Sequence, residues 1–147
     1  MNLESRITKD IKNAILKKDS AKLEVCRSIK SEILLVKTAK GVTIDAQKEI
    51  EILQRLLKQR KESEKIFKSE NRQDLALCEQ QQAKIISSYL PKPFTIDELS
   101  SLIDELMIEL NVSSISEMGR LISEAIRRSE GRATGKMISD LAKEKLS

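Results

Sequence analysis

The sequence predicts an all-α protein: an N-terminal domain of about four helices built from helical hairpins, followed by a small three-helix bundle. Three observations predict it. Apolar residues recur at spacings of three and four along most of the chain, the signature of helices with one buried stripe. Charged residues make up 34% of the 147 residues against four glycines, which is the composition of helices with wet outer faces. The only two prolines, Pro91 and Pro93, stand together, and a residue before proline is pushed out of helical angles, so the chain divides there.

The elements follow in order. Leu3, Ile7, Ile11, Ala14 and Ile15 put one apolar stripe on a first helix, broken at Lys17-Lys18-Asp19-Ser20. Leu23, Cys26, Ile29, Ile33 and Val36 repeat the pattern in a second helix, which Gly41 is expected to end by taking the left-handed conformation. So short a break makes the pair an antiparallel hairpin. A third helix starts at Thr43 or Asp45, either of which can accept first-turn N–H groups, and carries Ile50, Leu53, Leu56 and Leu57. Its apolar pattern then stops from Lys58 to Lys65 before Ile66 and Phe67 resume it, so this stretch is expected in solvent or against a polar partner. A fourth helix from about Asp74 bears Leu75, Cys78, Ile85, Ile86 and Tyr89 and returns along the third.

The join lies between Tyr89 and Phe94, which sets the domains at 1–92 and 93–147. Beyond it, Thr95-Ile96-Asp97-Glu98 has capping-box spacing, in which Thr and Glu side chains satisfy each other's free backbone donors, and Ser114-Ile115-Ser116-Glu117 repeats it. The helices so opened carry Leu99, Leu102, Ile103, Leu106 and Leu110, then Met118, Leu121, Ile122, Ala125 and Ile126. Gly131 closes the second of these. The last helix begins near Thr134 or Gly135 and buries Met137, Ile138, Leu141 and Leu146.

Charge also divides the chain. Residues 1–94 hold twenty Lys/Arg and thirteen Asp/Glu, or +7, whereas residues 95–147 hold seven and ten, or −3. The basic excess suits an anionic partner and equally serves solubility. Cys26 and Cys78 fall among apolar helical positions and read as small core residues; a disulfide between them stays open, but no C-x-x-C spacing supports a metal or redox site. No metal or cofactor is expected. Without an apolar leader or a long apolar run, the reading is a cytoplasmic protein with no membrane partner.

Several chemistries are excluded. There is no histidine, so Cys-His and Ser-His nucleophile pairs are impossible within this chain. No catalytic residue is assigned, because the carboxylates lie among Lys and Arg on helix faces, where surface ion pairs explain them. Gly131-Arg132-Ala133-Thr134-Gly135-Lys136-Met137 has three residues between its glycines and no hydroxyl after the lysine, so it fails as a nucleotide-binding loop.

The same segment reads better as an anion site. A helix N-terminus presents unpaired N–H groups, Gly135 admits close approach, and Arg127, Arg128, Arg132 and Lys136 surround it, a set able to grip the sugar-phosphate backbone of a folded RNA. These residues also fit a plainer role, in which Arg127 and Arg128 complement a helix C-terminus and Arg132 and Lys136 are solvated. Likewise Lys58, Arg60, Lys61 and Lys65 suit either docking of an anionic protein partner or a solvated hairpin arm.

Leu57-Lys58-Gln59-Arg60-Lys61-Glu62-Ser63, Arg72-x-Asp74-Leu75, Glu79 and Tyr89-Leu90-Pro91, in this order, resemble the YqeY family, as do Asp10, Lys12, Ala14, Lys17, Asp19, Leu23 and Arg27. Met118-Gly119-Arg120 and Gly131-Arg132-Ala133-Thr134-Gly135-Lys136 resemble the motif shared with the tail of the tRNA-dependent amidotransferase B subunit. Thr134 departs from the acidic residue usual in that motif, keeping a capping oxygen and losing a charge. The resemblance implies a helical N-terminal domain followed by a three-helix bundle of the GatB/YqeY type. In the amidotransferase that tail packs against tRNA while a separate core transfers an amide from glutamine with ATP. A carbon-nitrogen ligase label on this chain would be inherited from the larger enzyme. Three roles are compatible with the resemblance: a module binding tRNA or a tRNA–enzyme complex, a protein–protein adaptor, and an auxiliary subunit of glutamine-dependent amide transfer.

Overall fold

The computed structural model describes residues 2–39, 41 and 43–147, and among these the regular structure is entirely helical. The elements are α1 (Leu3–Lys17), α2 (Ser20–Thr38), α3 (Ala46–Ser69), α4 (Gln73–Ser87), α5 (Ile96–Glu109), a 3₁₀ turn (Ile115–Glu117), α6 (Met118–Ser129) and α7 (Gly135–Leu146). They form two compact units, Met1–Leu90 and Pro91–Ser147.

In the first unit, short polar side chains open the helices. Asn2 accepts from the Ser5 N–H at 2.8 Å, Asp19 from Lys22 at 3.1 Å, and Asp45 from Lys48 at 2.8 Å. Such caps contribute about 1 kcal/mol each. Between α1 and α2, Lys18 turns the corner at φ 56, a left-handed conformation that glycine would adopt with less strain. Ile7, Ile29, Ile33, Leu53, Leu56 and Ile86 form the centre of one core to which all four helices contribute. Ile11, Val36, Leu57 and Ile85 pack at its margin.

The second unit buries Leu99, Ile103, Leu106, Leu121, Ala125, Ile138 and Ala142. Thr95 and Glu98 make the reciprocal capping box, with the Glu98 N–H donating to Thr95 Oγ1 at 3.1 Å. Thr134 caps α7, accepting from Met137 at 3.2 Å.

Four local expectations change. The second helix ends at Thr38 with Ala39 as its cap, so Gly41, at φ 67, belongs to the following turn. Ser114 Oγ donates to the Glu117 carboxylate at 3.1 Å instead of capping backbone, and the segment forms a 3₁₀ turn before α6. At the end of α6 the left-handed residue is Glu130, φ 49, with Gly131 next at φ 82. Cys78 is exposed, and so are Ile15 and Ile66, because an apolar spacing of three or four defines a stripe wider than the surface that neighbouring helices cover.

Candidate functional site

The basic residues at the α6–α7 corner are mostly engaged by acids of their own unit. Arg127 forks onto Glu124 one turn back, and Arg128 reaches the same carboxylate at 3.0 Å while donating twice to Glu109 of α5, at 2.7 and 2.5 Å. Hydrogen bonds from Arg127 and then Arg128 hold the Glu124 carboxyl down at about 2, Arg128 lowers Glu109, and both guanidinium groups are raised in return. Arg132 turns the other way. It stacks on Phe94 at 3.9 Å, donates to the Lys92 carbonyl at 2.9 Å and pairs with Glu98 at 3.5 Å.

The loop before α7 is thereby fixed. The Arg132 N–H closes on the Ser129 carbonyl at 2.9 Å, and the Phe94 N–H donates to the Arg132 carbonyl at 2.8 Å. What this loop presents is the α7 N-terminus, with exposed Gly135 and Lys136 following the Thr134 cap. The first N–H groups of a helix have no intrahelical acceptor. A methyl group added at Gly135 would meet one neighbour, Ile126 Cδ1 at 3.9 Å, so packing within the unit does not require glycine there. Thus Arg127 and Arg128 come together on Glu124, Arg132 is drawn toward the start of α5, and Lys136 is the cation of the set with no side-chain partner among the described residues.

On α3, Lys58, Lys61 and Lys65 are exposed and Arg60 is not: its guanidinium lies half-buried at 3.4 Å from both Glu79 of α4 and Ser28 of α2. The stretch without apolar residues therefore packs partly through polar contacts. Arg60–Glu79 also explains one sequence motif, and others resolve the same way. Arg72 forks onto Asp74 with both bonds at 3.3 Å, fixing the first turn of α4. Arg120 joins the Leu110 carbonyl at 2.8 Å to Glu117 at 2.9 Å.

Sequence reasoning missed a further cluster. Tyr89, buried just beyond α4, donates its hydroxyl to the Asp10 carboxylate of α1, and its oxygen lies 3.4 Å from the Cys26 thiol of α2. The Arg6 guanidinium and the Lys22 ammonium stand 4.7 and 5.3 Å from its ring centre. Burial, then the bond to Asp10, pushes the Tyr89 hydroxyl well above its ordinary range, and burial likewise raises Cys26. Asp10 also lines an open cleft of about 180 Å³ with Asn13, Ala14, Lys17, Asp19 and Lys22. The signal was present in the spacings Arg6/Asp10 and Lys22/Cys26, each one helical turn apart; no rule of spacing brings Tyr89 to them.

Among the described residues there is no group of three or more potential metal ligands, and no helix long and apolar enough to cross a membrane. The family model for Yqey-like proteins matches residues 4–146. "Altered inheritance of mitochondria protein 41, mitochondrial" of Pyrenophora tritici-repentis is 31% identical over 137 residues, covering 92% of this chain and 69% of that protein.

Proposed function

The chain belongs to the YqeY-like family, and from that premise we propose that it is a non-catalytic helical module that binds tRNA, free or in a tRNA–enzyme complex, through the α7 N-terminus. The observation that carries the reading is the fixed loop from Ser129 to Thr134, which presents Gly135 and Lys136 at a helix N-terminus where the fold itself has no need of glycine. Backbone N–H groups and a lysine in that arrangement receive a phosphate, and Arg127 lies on the neighbouring helix with its side chain 69% exposed. Because exposed ion pairs contribute little, Glu124 competes only weakly with a phosphate for Arg127.

The test is fluorescence anisotropy with purified total tRNA at low and physiological salt. About two phosphate contacts, from Lys136 and Arg127, give a loss on the order of tenfold between 50 and 200 mM salt. Gly135→Ala keeps the fold and weakens binding by crowding the backbone, and Lys136→Glu weakens it through charge. Salt-independent affinity, or affinity unchanged in both variants, overturns the assignment.

A protein–protein adaptor is the second reading. It draws on the α3–α4 hairpin, where Lys58, Lys61 and Lys65 are exposed and Ile66 and Leu77 stand 57% and 63% in solvent. A third reading, as auxiliary subunit in glutamine-dependent amide transfer, pairs this chain with a separate catalytic core.

A further inference from the structure

We propose that the outer face of α1 docks on the surface of an anionic lipid bilayer. The argument starts from two side chains that the fold leaves in water: Leu16 is 81% exposed and Ile15 52%, adjacent at the end of α1. Single exposed apolar residues are ordinary, but these have charged company of one sign. Lys9, Lys12 and Leu16 follow each other at intervals of three and four, a stripe roughly 10 Å long on one helix face. Lys9 and Lys12 are exposed, with no side-chain partner among the described residues.

The acids of α1 are kept off this stripe. Glu4 pairs with Lys37 of α2 at 2.6 Å, and Asp10 accepts from Tyr89. Lys17 lines the cleft beside Asp10 and Asp19, so it belongs to a different face. Lys18 closes the corner at φ 56, where glycine would turn the chain with less strain, so the position carries a lysine at a conformational cost. The outer face of α1 is therefore cationic and apolar, within residues 1–94 whose formal charge is +7.

That pairing of chemistries selects the partner. An RNA backbone would use the lysines and leave Leu16 and Ile15 without purpose. An anionic bilayer uses both, since lysines meet the lipid phosphates while the two aliphatic side chains enter the headgroup boundary. The expectation of no membrane partner rests on the lack of a long apolar run; surface attachment needs none, and only the packing of α1 shows that Ile15 leaves the core.

The test is co-sedimentation of the full-length protein with mixed phosphatidylcholine–phosphatidylglycerol vesicles and with pure phosphatidylcholine vesicles, with helicity checked by circular dichroism. Binding is expected to the mixed vesicles alone. Lys9→Gln with Lys12→Gln lowers partitioning on the order of tenfold, and Ile15→Ser with Leu16→Ser lowers it by a similar factor at unchanged charge. Lys18→Gly weakens binding while the melting temperature holds or rises. Failure to bind the mixed vesicles overturns the proposal. So does undiminished binding by the Ile15→Ser/Leu16→Ser protein, or tRNA affinity that depends on Lys9 and Lys12 and is indifferent to the aliphatic pair; each would make the face a general polyanion site. Loss of tRNA binding in Lys136→Glu has no bearing on these outcomes.

Discussion

Replacing Tyr89 by phenylalanine removes one oxygen and keeps a buried ring, which isolates the hydroxyl's part in holding the first unit together. In the native protein that hydroxyl donates to Asp10 and contacts Cys26 at 3.4 Å, and only 7% of the residue is exposed. A hydrogen bond to a charged acceptor contributes about 1.5–3 kcal/mol. Asp10 is half-buried and recovers part of this from water, so the cost of Tyr89→Phe is about 1–2 kcal/mol, or ~5–10 °C in melting temperature for a unit of this size. The pH dependence supplies an independent readout. The folded-state hydroxyl is raised above its ordinary value of 10.0, so its contribution is complete below that value and disappears as pH rises beyond it. Tyr89→Phe should lose that part of the alkaline destabilisation. Amide hydrogen exchange, read by peptide on the full chain, should show faster exchange in α1, α2 and α4 and no change in α5–α7. A double-mutant cycle with Asp10→Asn should give a coupling of about 1 kcal/mol or more. Zero coupling, or wild-type stability with an unaltered alkaline limb, would refute the idea that this bond ties the end of the unit to α1.

Three further outcomes follow from the same geometry. Thr134→Ala should lower stability of the second unit by about 1 kcal/mol in urea titration through loss of the α7 cap, whereas Thr134→Asp, which restores a carboxylate at the N-cap, should hold or raise it. Glu124 is held at about 2 against an ordinary 4.5, so its stabilising bonds to Arg127 and Arg128 are complete above about pH 4.5 and are lost as pH falls toward 2; the melting-temperature gap between wild type and Glu124→Gln should shrink over that window. Cys78 should react with a thiol reagent in the native state, while Cys26, buried and with its thiol pushed up, should react only on unfolding.

The arginines show how far local reading reaches. Arg127, Arg128 and Arg132 share a few residues of sequence and read as one basic cluster, yet their partners are Glu124 and Glu109 for two of them and Phe94, Lys92 and Glu98 for the third. Helix periodicity states which side chains share a face; it does not state which acid from another helix stands opposite. Arg60 is the same case, drawn from an expected docking surface onto Glu79 and Ser28.

By itself the sequence determined what depends on neighbours along the chain. Periodicity settled the all-helical class, Asn, Asp and Thr cap five of the helix starts, and the Thr95–Glu98 box formed as read, because each is a contact within one helical turn. Tertiary structure alone decided what depends on approach across helices: the Asp10–Tyr89–Cys26 cluster joins residues up to 79 positions apart, and the exposure of Cys78, Ile15 and Leu16 is set by which neighbours cover each stripe. An apolar period specifies that a face is buried. The width of the covering surface specifies which of its residues are left in water, and at α1 that difference is what leaves Ile15 exposed.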